Sequence, residues 1–220
     1  MKLKVCGMKY EENIEAVAAL RPDYLGFIFY KKSPRHFEHT IPQLPESIKK
    51  TGVFVDASID FILEKVAMYG FRAVQLHGNE TAAYCMELKT RLQTMHTTAS
   101  SNKIELFKVF SIKDQFDFNI LKPYEGIVDY FLFDTKGKEK GGNGYVFDWS
   151  VLKEYHSTTP FILSGGIGPD EMNAVLSFKN SPASRYLYAI DVNSKFEIEP
   201  GLKNVDQLKT YIAKLKNNSN

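Results

Sequence analysis

Eight short runs rich in Val, Ile, Leu, Phe and Tyr recur along the chain, at 3–6, 24–30, 52–56, 73–77, 104–110, 130–134, 161–165 and 186–191. They are apolar on both faces rather than alternating, as strands covered on each side by helices should be. Between them, apolar residues return at helical spacing over 11–20, 43–50, 58–69, 80–92, 148–155, 169–177 and 204–216. The segment 114–123 carries the weakest helical pattern of the series. Asp148 stands where it can cap the helix beginning at Trp149. Pro169 suits a first helical turn, and Asp170 and Glu171 complement the dipole there.

Strand and helix alternate in units of roughly 20 to 30 residues, which is the rhythm of repeated βα units. The expected fold is therefore α/β, a (β/α)8 barrel with a weak or shortened fifth helix. Residues 1–215 are read as one domain and 216–220 as a frayed tail. An open doubly wound sheet is the alternative, but no Gly-x-Gly-x-x-Gly follows the first apolar run. The polar stretch "TMHTTASSN" at 94–102 has a loop's length, not a linker's.

Composition narrows the classes of function. The chain has 220 residues, 44% of them hydrophobic and 25% charged, with a formal net charge of +2. That balance supplies no basic field for nucleic acid or an anionic membrane surface. The N-terminal "MKLKVCGMKY" lacks the apolar core of a signal peptide, and no apolar run approaches the length of a membrane span. With two cysteines, Cys6 and Cys85, and five scattered histidines without zinc spacing, the expectation is a reduced, cytoplasmic protein without a metal.

In a barrel of this kind chemistry sits at the C-terminal ends of the strands. The segments at those ends are polar and glycine-rich: Cys6-Gly7, then "KKSPR" at 31–35, Asp56, His77-Gly78, Asp134 with "TKGKEKGGNG", "SGGIG" at 164–168, and "DVNS" at 191–194. Paired glycines Gly165 and Gly166 let backbone N–H groups crowd an anion, and loops seven and eight often hold a phosphate, with Asn193 and Ser194 as further donors. Asp170 and Glu171 act against an anion that comes too close. Cys6 and Asp134 end strands on roughly opposite sides of the ring and form a candidate acid–base pair; the plainer reading is a buried cysteine and a loop-capping carboxylate. Arg35, after Pro34, offers a fork suited to a carboxylate, although it also reads as a surface arginine in a basic loop. His77 is read equally as a structural histidine or as a ligand contact. Lys136, Lys138 and Lys140 are loop charges whose neighbouring glycines suggest a lid.

Taken together, "KVCGM", "DYLGFIFYKKSPR", "VQLHG", "FLFDTKGKEKGGNG…FDW", "LSGGI" and "DVNSKFEIEPGLKN" resemble the phosphoribosylanthranilate isomerases of tryptophan biosynthesis, in order and over nearly the whole chain. The resemblance implies a (β/α)8 barrel and an Amadori rearrangement of N-(5′-phosphoribosyl)anthranilate. The product is 1-(2-carboxyphenylamino)-1-deoxyribulose 5-phosphate, and no metal or organic cofactor takes part. It makes Cys6 the general base, Asp134 the general acid and Arg35 the holder of the anthranilate carboxylate. Gly165, Gly166, Asn193 and Ser194 fall where the phosphate binds. On this reading Asp134 protonates the furanose oxygen and opens the ring to a Schiff base. Cys6 then removes the proton from C2′ as a thiolate, a form that needs a depressed pKa from nearby N–H groups.

One departure stands out. The family usually has Ser-Ser-Gly-Val-Glu after the last strand, where this chain has Asn193-Ser194-Lys195-Phe196-Glu197, so Lys195 replaces a glycine beside the phosphate loop. The related isomerase of histidine synthesis would place Asp at both catalytic positions and shows a half-barrel repeat. Indole-glycerol-phosphate synthase would need a Lys and Glu pair. A non-catalytic phosphosugar-binding barrel would need neither Cys6 nor Asp134. The expected partner is a small phosphosugar, with the chain itself monomeric or a homodimer.

Overall fold

Eight parallel strands close into a barrel in chain order: β1 Lys2–Val5, β2 Tyr24–Ile28, β3 Lys49–Phe54, β4 Ala73–Leu76, β5 Glu105–Ile112, β6 Tyr130–Thr135, β7 Phe161–Leu163 and β8 Leu187–Val192. The structure is a computed structural model and describes residues 1–95, 103–113, 115–135 and 148–217. Closure is made by β1 against β8, from Lys2 opposite Ala189 to Val5 opposite Val192. A short antiparallel hairpin, β9 Glu197–Glu199 with β10 Leu202–Lys203, comes after β8. All eight strands of the sequence reading are present. Among the described residues no helix is long and apolar enough to cross a membrane.

Side chains alternate along each strand. One set, including Leu3, Val5, Phe27, Val74, Leu76, Phe131 and Phe133, packs outward into the layer beneath the helices. The other, Tyr24, Ala73, Phe107, Val109, Leu132, Ile162 and Ala189, fills the barrel. The same alternation carries Lys4, Cys6, Gln75, His77, Asp134 and Asp191 inward. At the N-terminal end, Tyr24 Oη donates to Glu105 at 2.9 Å and lies 2.8 Å from Tyr188 Oη, while Lys49 bonds Glu105 at 2.5 Å. This polar cluster fills the N-terminal end of the barrel.

The helices are α1 Glu11–Ala19, α2 Ile59–Tyr69, α3 Ala82–Met95, α4 Met172–Lys179 and α5 Val205–Asn217. α5 runs to Asn217, and 218–220 lie outside the described residues. The helix expected at 43–50 does not form. Pro42 and Pro45 remove two N–H donors, and Lys49 and Lys50 already belong to β3. Aromatic rings fill the layer there instead: Phe37 meets Phe27 edge-on at 5.0 Å and packs with Phe29, which stacks on Phe54 at 5.4 Å.

The weak fifth helix is a 3₁₀ segment, Phe118–Tyr124, with Pro123 inside it. Asp148 does cap, accepting from Ser150 N at 2.9 Å, but the element it caps is a 3₁₀ turn, Trp149–Glu154. α4 begins at Met172, with Glu171 at its N-cap, so Pro169 and Asp170 lie in the turn before it rather than in its first turn.

Candidate functional site

Cys6 directly follows β1 and still takes part in the sheet, its N–H donating to Val192 O at 2.9 Å. The residue is 3% exposed. Two lysines and an aspartate set its surroundings. Lys4, two residues back on the same inward face, is fully buried and bonds Asp191 Oδ1 at 2.8 Å. Asp191 is its register partner on β8 and also accepts from Ser164 Oγ at 3.2 Å. Burial pushes the Cys6 thiol up; Lys4 and Lys203 pull it down and Asp191 pushes it up again, with a net upward shift. The free thiol is therefore not the preformed thiolate that the sequence reading asked for. Burial draws Lys4 down, but Asp191 and Cys6 outweigh it and leave it firmly protonated. Cys85 is also buried and free, on α3, so the two cysteines do not pair.

Asp134, the fifth residue of β6, and His77, directly after β4, come together at the same rim. His77 Nε2 lies 3.4 Å from Asp134 Oδ2, with side chains 36% and 27% exposed. Behind His77, Gln75 Nε2 is 3.2 Å from His77 Nδ1. The sequence named His77 and Asp134 separately, and the barrel makes them neighbours. Asp56 is engaged by the loop after β4: its carboxylate accepts from Asn79 N at 2.6 Å, and its own N–H donates to Glu80. Lys108 fills out this corner, bonding Gly78 O at 2.9 Å and lying 3.1 Å from Glu80.

Arg35 is held by its loop and by a carboxylate. Phe37 N–H bonds Ile28 O at 2.8 Å and Arg35 N–H bonds Ser33 Oγ at 3.1 Å, fixing the chain on each side of it. The guanidinium is not a loose surface group: Nε and Nη2 engage Glu197, and only 10% of the side chain is exposed. Among the described residues Nη1 has no hydrogen bond, which leaves that edge of the fork for another acceptor.

The glycine loop after β7 approaches β6 closely. Gly165 and Gly166 have φ of 88° and 71°, and a Cβ on Gly165 would fall 2.3 Å from Thr135 N, so only glycine fits there. Glu171 accepts from Gly168 N at 2.8 Å and thereby takes one N–H of this loop for itself. Across from it, a Cβ on Gly168 would meet Lys195 Cβ at 2.8 Å, so the exposed Lys195 lays its stem against the loop. Ser194 opens a 3₁₀ turn, Ser194–Phe196. Asn193 turns its amide oxygen to Lys203 Nζ, 2.7 Å away, instead of holding it out for a ligand. The lid residues Lys136, Lys138 and Lys140 lie outside the described residues.

Sequence reasoning gave no role to Lys4, Gln75, Asp191, Glu197 and Lys203, Asp191 being named only within the strand-end segment "DVNS". A signal was present for the first three: each is a polar residue at an inward position of an otherwise apolar strand, where it is expensive unless used.

The family model for N-(5′-phosphoribosyl)anthranilate (PRA) isomerase matches residues 3–214. An N-(5′-phosphoribosyl)anthranilate isomerase of Parabacteroides distasonis is 43% identical over 221 residues, covering 98% of this chain and 93% of that protein. Among solved structures, the phosphoribosyl anthranilate isomerase of Thermotoga maritima superposes with a TM-score of 0.77 at 28% identity, over 99% of both chains. Another structure named for that enzyme holds reduced 1-(o-carboxyphenylamino)-1-deoxyribulose 5-phosphate; it superposes with a TM-score of 0.73 at 25% identity over 99% of both chains.

Proposed function

The chain belongs to the N-(5′-phosphoribosyl)anthranilate isomerase family, and from that premise we propose that Cys6 and Asp134 are its general base and general acid. The reaction is the isomerisation of N-(5′-phosphoribosyl)anthranilate in tryptophan biosynthesis. The single observation that supports the assignment most is the shared rim. Cys6 and Asp134 stand at the C-terminal ends of parallel strands of one closed barrel, both at inward positions.

Asp134 donates its proton to the ribose ring oxygen. The C1′–O bond breaks as the anthranilate nitrogen supplies its electron pair, giving a Schiff base. Cys6 then takes the C2′ proton that the iminium has acidified, and the resulting enolamine passes to the ketone. The cationic iminium and the Lys4 and Lys203 ammoniums offset the burial that otherwise opposes the Cys6 thiolate. Nη1 of Arg35 takes the anthranilate carboxylate. The backbone of Gly165 and Gly166, with Asn193 and Ser194, takes the phosphate, so a long dianion is fixed at both ends. His77 contacts the aryl-amine end through its place beside Asp134. The substrate is a small phosphosugar, and the reaction is assigned to the cytoplasm.

The test generates the substrate in situ and follows loss of its anthranilate fluorescence. Cys6→Ala and Asp134→Asn are each expected to lower kcat by a factor of about 100 to 10,000, the range for removing a positioned acid or base. Full turnover by either variant removes that residue's role.

A further inference from the structure

Arg35, Glu197, Lys203 and Asn193 come from three separate segments and form one buried chain of hydrogen bonds. Arg35 Nε lies 2.9 and 3.0 Å from the two Glu197 oxygens, and Nη2 donates to Oε2 at 2.6 Å. Lys203 Nζ donates to Glu197 Oε1 at 2.6 Å and to Asn193 Oδ1 at 2.7 Å. The side chains of Glu197 and Lys203 are 4% and 0% exposed. The supporting hairpin is itself fastened, because Lys203 N and O exchange hydrogen bonds with the Asn13 side chain of α1 at 2.8 and 2.9 Å.

Two features of this cluster are not explained by packing. Replacing a buried ion cluster by apolar groups of the same size is often neutral or stabilising, so packing by itself does not call for charge in this corner. It also sets Arg35 and Lys203 against one carboxylate; burial, and Arg35 with it, pull the Lys203 ammonium below the ordinary lysine value although Glu197 holds it, so the corner is short of negative charge at a place where Arg35 still has an unused edge. Such a corner is stabilised by an incoming anion. Glu197 grips the Nε–Nη2 side of the fork and thereby decides which way Nη1 faces.

We infer that Glu197 and Lys203 are positioning residues: Glu197 aims the free edge of Arg35 at the aryl carboxylate, and Lys203 carries that constraint to Asn193 at the start of the phosphate loop. The inference rests on the reading that Arg35 binds the substrate's carboxylate. It joins the two anion anchors through the protein, so that their separation is set before the substrate arrives. Gly7 sits at the junction, where a Cβ would fall 2.6 Å from Asn193 Oδ1 and 2.8 Å from Arg35 Cδ.

Two inhibitors separate this from a general structural role. One is reduced 1-(2-carboxyphenylamino)-1-deoxyribulose 5-phosphate; the other is the same molecule with phenylamine in place of the carboxyphenylamine. Glu197→Gln is expected to weaken the first about tenfold or more, the worth of one well-aimed charged hydrogen bond, and the second less than about twofold. Lys203→Met is expected to weaken both, since it loosens the phosphate end as well. Equal weakening of the two inhibitors by Glu197→Gln, or no weakening, overturns the inference. Arg35→Ala is run alongside. If it discriminates between the inhibitors and Glu197→Gln does not, only the inference falls; if it does not discriminate, the carboxylate reading falls and the inference with it. Circular dichroism checks each fold, and Glu197→Asp is read in the same way should Glu197→Gln fail to fold.

Discussion

A Cβ placed on Gly26 would lie 2.7 Å from the Cys6 sulfur, so the thiol occupies the space that glycine leaves in the middle of β2. The backbone at Gly26 is not in the left-handed region, so alanine suits the strand's own dihedrals, and the three atoms it would meet first belong to Cys6: the sulfur, then Cα at 3.2 Å and Cβ at 3.3 Å. Gly26→Ala is therefore expected to shift the thiol while leaving the fold intact. Misplacing a catalytic group by about 1 Å costs roughly 100-fold in rate. Steady-state kinetics beside a thermal melt would show a large fall in kcat/KM with a nearly unchanged Tm. Wild-type turnover in this variant would mean that the sulfur's position does not matter.

Gly26 also marks the limit of what is readable from the chain alone. The eight strands could be found because apolar runs bounded by polar loops are a local signal, and parallel topology then placed Cys6, His77 and Asp134 at one rim. The charges beneath them were not legible in that way. Lys4 sits inside "LKVC", and its partner Asp191 is far away in the chain; only closure of β1 on β8 makes them opposite. Arg35 reads as a solvated basic loop because nothing local announces Glu197. The expected helix at 43–50 fails for a local reason, the two prolines, which apolar spacing does not register. The rings that replace it, Phe37 on Phe27 and Phe29, are a tertiary fact.

Burial raises the Cys6 thiol above its ordinary 9.0, against the pull of Lys4 and Lys203. A raised value means that the neutral thiol dominates through neutral pH, and the thiolate fraction grows about tenfold per pH unit until that value is passed. Alkylation of the free enzyme by iodoacetamide is expected to quicken in that way up to about pH 9 without levelling off. Peptide mass spectrometry should assign the modification to Cys6 before Cys85, since Cys6 is 3% exposed and Cys85 fully buried. A plateau below about pH 8 would contradict the raised value.

Phe37 stands in for a missing helix and also ends the loop that carries Arg35. It is 1% exposed, and its N–H is bonded to Ile28 O. Phe37→Ala should cost about 3 to 5 kcal/mol, as other emptied aromatic sites do. In a chain of this size that lowers Tm by about 10 °C. KM should rise more than kcat falls, since the loop loses its anchor two residues from Arg35. A melt and a substrate titration on the same preparation measure both, and an unchanged Tm would show that the loop is held by other means.

The buried pair of Lys4 and Asp191 lets stability and catalysis be pulled apart. Lys4→Met leaves Asp191 as an unpaired buried charge, and breaking such a pair from one side costs about 3 to 5 kcal/mol. Lys4→Met with Asp191→Asn removes both charges while Ser164 keeps an acceptor, so most of that loss should return in urea unfolding. Activity is not expected to return with it. The double variant loses the Lys4 ammonium, which pulls the Cys6 thiol down, together with the Asp191 carboxylate, which pushes it up; Lys4 has the larger effect, so the inflection of the alkylation profile should lie higher than in the wild type. The sign for the parent pair runs the other way with pH. Lys4 is held above the ordinary lysine value of 10.5, so its contribution is complete below 10.5 and is lost only as pH rises past its folded value. The stability gap between wild type and Lys4→Met should thus persist across neutral pH and close only in strong alkali. If the double variant regained both stability and turnover, Lys4 would be a packing residue with no part in setting the base.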